Sequence, residues 1–160
     1  MSLILQTDGS SFARRSAPAW AVARSVRYRL LHMPMRVLVA DDDARVCAAL
    51  RLVLEQVPGW AVVGELQSAH NLVRQVTRRR PDVLVLDWDQ PVLERGAVLA
   101  ALRARCPGLR VITLGNDPTA RRAALLAGAD YSAAKTDPPD DLLACLHALP
   151  ARRTPVASAA

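Results

Sequence analysis

From Met35 onward, short apolar runs alternate with stretches whose apolar residues recur every three or four positions. Residues 36–40 read as a buried strand. Val46, Ala49, Leu50, Val53, Leu54 and Val57 then mark a helix over 44–57, with Asp43 placed to cap it and Pro58-Gly59 to end it. Residues 60–66 read as a strand. Ser68 is predicted to cap a helix running to Arg79, with Leu72, Val73 and Val76 facing inward and Pro81 beyond its end. Residues 82–86 form the most apolar run, which predicts a central strand. A helix over 92–105 ends at Pro107-Gly108, and a strand follows over 109–114. A helix over 118–127 starts on Pro118 and stops before Gly128. A short strand over 130–134 and a helix over 138–149 complete the order, with Asp140 and Asp141 near that helix's positive end.

Five strands and five helices in strict alternation predict an α/β fold. Its sheet is parallel, five-stranded and doubly wound, with helices on both faces. There is no glycine-rich phosphate loop of the Walker or dinucleotide type, so nucleotide binding is not expected.

Charge changes the picture mainly at the flanks. The formal net charge is +6, yet residues 35–150 hold fourteen Lys/Arg and fourteen Asp/Glu. Residues 1–34 hold five arginines and only Asp8, and Arg152 and Arg153 lie in the last ten residues. No nucleic-acid binding is therefore expected of the body itself. Residues 1–34 read as a basic, disordered extension, dispensable for folding, and 151–160 as a flexible tail. Ala19, Val22, Val26 and Leu30 leave open a membrane-surface or partner helix within that extension. Leu3-Ile4-Leu5 is too short for a signal-peptide core, and no run is long enough to span a bilayer. Cys47, Cys106 and Cys145 fall singly in helical patterns and read as small buried residues in a reducing compartment. A cytoplasmic protein is expected.

The candidate chemistry lies at strand ends. In an open parallel sheet the carboxyl ends of the strands meet at one edge, where ligands bind. Asp41 and Asp42 follow the first strand, Asp87 follows the third, and Lys135 follows the fifth. Adjacent acids repel unless a cation joins them. Three carboxylates make an oxygen-rich pocket suited to Mg²⁺. Lys135 is the only lysine among twenty-one basic residues. A compact ammonium there suits a phosphoryl oxygen. The combination points to phosphoryl transfer to or from an aspartate. His32, His70 and His147 have no partners at metal-ligand spacing.

These residues, in this order, resemble the receiver domain of two-component response regulators over 35–149. Asp41-Asp42 after Val37-Leu38-Val39-Ala40 matches that family's acidic pair, and Asp87 after Val83-Leu84-Val85-Leu86 its phosphoacceptor. Pro91 and Gly96 match the loop that follows. Ala127-Gly128-Ala129, Lys135 and Pro138-Pro139-Asp140-Asp141-Leu142-Leu143 match the last third, above all in regulators with a LuxR-type output. The resemblance implies a flavodoxin-like receiver domain over 35–150. It implies a signalling module rather than an enzyme. Asp42 would ligate Mg²⁺ directly and Asp41 through water. Asp87 would supply a metal oxygen and attack a phosphohistidine. The backbone carbonyl of Asp89 would complete the protein's share of the shell, and Lys135 would pair with the phosphoryl group. The implied partners are a sensor histidine kinase or phosphotransfer protein and a downstream protein.

The chain departs from that family at its switch. Gly115 aligns where a Ser or Thr is usual, Thr113 lies two residues deeper, and Ser132 replaces an aromatic residue. Thr136 rather than proline follows Lys135. Weak coupling between phosphorylation and conformation is expected. A degenerate receiver acting as a phosphorylation-independent binding module is the alternative. Asp87-Trp88-Asp89 also has the Asp-x-Asp form of haloacid-dehalogenase-type phosphatases. That motif belongs on a first strand, however, and here Gln90-Pro91 follows it on the third.

Overall fold

The structure, a computed structural model, describes residues 34–90 and 94–148. The elements run β1 (Met35–Ala40), α1 (Ala44–Glu55), β2 (Trp60–Leu66), α2 (Leu72–Arg79), β3 (Val83–Asp87), α3 (Arg95–Arg105), β4 (Arg110–Leu114), α4 (Pro118–Leu126), β5 (Tyr131–Ala133) and α5 (Pro139–Ala148). One parallel sheet has the strand order β2-β1-β3-β4-β5. β3 is central and buried at all five positions, as its unbroken apolar run requires.

Side-chain alternation splits the core between the two sheet faces. Leu38, Leu84, Leu86 and Val111 pack with Leu72 and Val76 of α2, Leu99 and Leu102 of α3, and Ala124 of α4. Val37, Val39, Val83, Val85, Ile112 and Leu114 pack with Cys47 and Leu54 of α1 and with Leu142 and Leu146 of α5. Helices α1 and α5 thus cover one face, and α2, α3 and α4 the other. The order reverses at β1, between β2 and β3, which places the carboxyl ends of β1 and β3 side by side.

Several boundaries move for local reasons. Ser68 does not cap α2. Its Oγ accepts from His70 N–H at 3.1 Å, closing a turn, and Asn71 precedes the helix in a left-handed conformation at φ 65°. His70 therefore sits in that turn rather than on a helix. The turn bond from Val57 N–H to Leu54 O ends α1 early. Asp87 belongs to β3 instead of following it. The start of the 92–105 helix lies outside the described residues, as do Pro91, the extension apart from Pro34, and the tail. Gly128 follows α4 at φ 106°, a region that L side chains rarely adopt. Of the three cysteines only Cys47 is buried. Cys106 and Cys145 are partly exposed: Cys106 follows the last residue of α3, and Cys145 lies on the part of α5 beside Tyr131.

Candidate phosphoacceptor and metal site

Three loops at the carboxyl edge of the sheet bring the predicted residues together. Asp41 leaves β1 with its N–H still bonded to Leu66 O at 3.0 Å. Its Oδ1 accepts from Asp43 N–H at 2.9 Å, an Asx turn that shapes the loop. Asp43 then caps α1 by accepting from Arg45 N–H at 2.8 Å. The Arg45 side-chain hydrogen bond holds the Asp43 carboxyl down at about 2. Cys47, on the first turn of α1, donates its thiol to Asp41 O at 3.4 Å. Burial pushes that thiol's pKa up, so it is a packing residue.

Asp41 and Asp87 are buried, 1% and 2% exposed, whereas Asp42 is exposed. One carboxylate oxygen from each of the three lies within 4.8 Å of the others. Lys135 reaches in from beyond β5. Its Nζ stands 2.9 Å from Asp41 Oδ2 and 3.0 Å from Asp87 Oδ1. Asp87 Oδ1 also accepts from Asp89 N–H at 2.9 Å.

The electrostatics fit a site built for a cation. Burial raises the Asp87 pKa, and the Asp41 charge adds to it. The bonds from Asp89 and Lys135 oppose the rise without cancelling it. Burial disfavours the charged form of Lys135, but its bonds and charge interactions with Asp41 and Asp87 win, so its pKa is raised. One ammonium faces three carboxylates, all of them oxygen donors, and one of the three is open to solvent. A hard divalent ion of the Mg²⁺ type matches that donor set.

The structure also joins residues that the sequence left apart. Thr113 and Ser132 are paired across β4 and β5, and Thr113 Oγ1 donates to Ser132 Oγ at 2.9 Å. Thr113 alternates onto the face of Val111, while Asp87 shares the face of Val83 and Val85. The Thr113 hydroxyl is thus spent behind the site. Tyr131 lies on the other side of β5 from Ser132, beside Asp141 and Cys145. The loop after β3 is braced on both flanks. Asp89 Oδ2 accepts from Asn116 N–H at 3.0 Å, and buried Gln90 Oε1 accepts from Ala69 N–H at 2.9 Å. Nothing in residue spacing signals either brace. Trp88 is 1% exposed and packs in the α2–α4 core. The Arg95 guanidinium stands 5.9 Å from its ring centroid.

Comparisons place this geometry among known proteins. The family description "Response regulator receiver domain" matches residues 37–147. The transcriptional regulatory protein PrrA of Mycobacterium tuberculosis is 39% identical over 120 residues, 74% of this chain and 51% of that protein. A protein-glutamate methylesterase/protein-glutamine glutaminase of Myxococcus xanthus is 38% identical over 99 residues, 60% of this chain and 28% of that one. The chain spans about half or less of the length of these curated relatives. The isolated REC domain of RcsB from Salmonella enterica serovar Typhimurium, solved with phosphomimetic BeF3⁻, superposes with a TM-score of 0.64 at 28% identity. It covers 72% of this chain and 87% of that one. Among the described residues no helix is long and apolar enough to cross a membrane. The family match covers more than half the chain, and the strand order and acidic edge agree with it: the protein belongs to the response regulator receiver domain family of two-component systems.

Proposed function

We propose that Asp87 accepts a phosphoryl group from a phosphohistidine, on a sensor histidine kinase or a phosphotransfer protein, with Mg²⁺ in the acidic pocket. The observation that carries the reading is the convergence of Asp41, Asp42 and Asp87 within 4.8 Å, with Lys135 bridging the two buried acids. Asp41, Asp42, Asp87 and the backbone carbonyl of Asp89 would hold the ion. When bound, it neutralises the acids and the charge that develops on the phosphoryl oxygens.

Most of the work is positioning. The Asp89 N–H and the Lys135 ammonium fix Asp87 Oδ1. A carboxylate oxygen of Asp87 attacks phosphorus, the P–N bond breaks, and its electron pair leaves with the imidazole nitrogen. The product is an acyl phosphate. Lys135 then shifts from the free carboxylates to a phosphoryl oxygen. An apolar groove of about 420 Å³ opens beside Lys135, lined by Val46, Leu50 and Val53 of α1 and Leu142 of α5.

Incubation with Mg²⁺ and a small phosphodonor, followed by intact mass, tests the reading. One phosphate per chain is expected, and none in Asp87→Asn. An unmodified wild-type chain would favour a binding module that works without phosphorylation.

A further inference from the structure

The metal shell proposed above uses the carbonyl of Asp89 and leaves its carboxylate without a task. That carboxylate is nonetheless tied across the edge of the site. Its Oδ2 accepts from Asn116 N–H at 3.0 Å, joining the loop after β3 to the loop after β4. The same residue's N–H donates to Asp87 Oδ1 at 2.9 Å. Gly115 lies directly against it: a Cβ there would stand 3.1 Å from Asp89 Oδ1. Gly115 N–H in turn donates to Ala133 O at 3.0 Å, two residues before Lys135. Asn116 precedes Asp117, whose side chain caps α4 by accepting from Thr119 N–H at 2.9 Å. One residue therefore touches the phosphoacceptor through its main chain and the root of α4 through its side chain.

We propose that the Asp89–Asn116 bond is a latch that senses charge on Asp87, closed on the free carboxylate and opened by phosphorylation. The latch rests on the phosphoacceptor reading and deepens it. Conversion of Asp87 to an acyl phosphate adds negative charge beside a loop whose N–H is anchored on the reacting carboxylate. A phosphoryl group next to an acid acts by like-charge repulsion. Asp89 is exposed and makes no ion pair among the described residues, so a bond to a neutral amide is what holds it. The carboxylate is exposed, so water competes for it and keeps the net contribution of this charge-assisted bond modest. A small difference in interaction between the two states is therefore enough to release it. Gly115 has a role in this device. Without a side chain it lets the carboxylate seat, whereas a Cβ would crowd it. The motion stays local to Gly115 and Asn116, so a receiver whose Thr113 hydroxyl is bound to Ser132 has a second route by which to report its state.

The test uses the full chain in Mg²⁺, with beryllofluoride as the phosphoryl mimic. Fluorine NMR reports whether the mimic is bound, and amide hydrogen exchange reports on Asn116. With the mimic bound, exchange at Asn116 should rise about tenfold, the factor that loss of one ordinary hydrogen bond carries. In Asp89→Asn the amide oxygen still accepts but the charge is gone, and the rise should stay below about twofold. In Gly115→Ala the latch should stand open without the mimic. If that variant does not fold, the Asp89→Asn comparison decides. A bound fluorine signal with unchanged exchange at Asn116, or an equal rise in Asp89→Asn, overturns the latch alone. No bound fluorine signal overturns the phosphoacceptor reading beneath it.

Discussion

Lys135 contacts Asp87 at 3.0 Å although the whole of β4 separates their strands. The lysine follows β5, runs over the end of β4, and reaches both Asp87 of β3 and Asp41 of β1. Only the carboxyl edge of a parallel sheet permits this, because there the strands stop and side chains cross above them. The same arrangement makes Lys135 the countercharge of the metal-free site and a ligand for the phosphoryl group in the proposed reaction.

Metal binding should depend on Asp42. It is the exposed member of the triad and the one without a Lys135 contact, so it is free to meet an ion. Asp42→Asn is expected to weaken Mg²⁺ binding by at least about tenfold with little change in melting temperature without metal. Titration calorimetry checks this. Unchanged affinity would remove Asp42 from the metal shell.

The buried phosphoacceptor should cost the metal-free protein stability. Burial, with help from Asp41, raises the Asp87 pKa above its ordinary 3.8. A raised carboxyl pKa means that the folded state holds the proton more tightly than the unfolded state does. The contribution is fully present below 3.8 and is lost as pH rises through the folded value. At neutral pH the ionised side chain is therefore a liability. Asp87→Asn should melt higher than wild type at pH 7 without divalent metal, and its advantage should shrink as pH falls toward 3.8. Thermal melts across that range decide, and a lower melting temperature at pH 7 would show that Lys135 more than offsets the burial.

The brace at Gln90 should be felt as stability. Its Oε1 is the acceptor for Ala69 N–H, and the side chain is 1% exposed. Gln90→Ala should cost roughly 1–3 kcal/mol, the usual penalty for stranding a buried donor. Urea unfolding measures it. A neutral substitution would mean that water takes over at Ala69.

The fold was legible because each element carries its own period. The unbroken apolar run of β3 marked it as central, and Pro118 and Gly128 marked the ends of α4 to within two residues. Asp41, Asp42, Asp87 and Lys135 were legible because each follows or ends an apolar run, so the sheet alone brings them to one edge. Apart from helix ends that shift, such as α1 stopping at Glu55, the misses are side-chain choices. Ser68 had two backbone groups to cap and took the nearer turn. Thr113 and Ser132 pair through a strand register that depends on loops between them. Asp89 and Gln90 are adjacent in sequence yet brace opposite neighbours. Such choices are set by tertiary approach, which spacing along one chain does not encode.

The central claim is a covalent one, and the chemistry and location of the adduct test it most directly. After treatment with Mg²⁺ and a small phosphodonor, hydroxylamine should release the phosphate and leave a hydroxamate on the peptide that contains Asp87. Peptide mass spectrometry should place that hydroxamate on Asp87, with no label in Asp87→Asn. A hydroxylamine-stable phosphate, or one mapped to Thr113, Ser132 or another hydroxyl, would contradict the account.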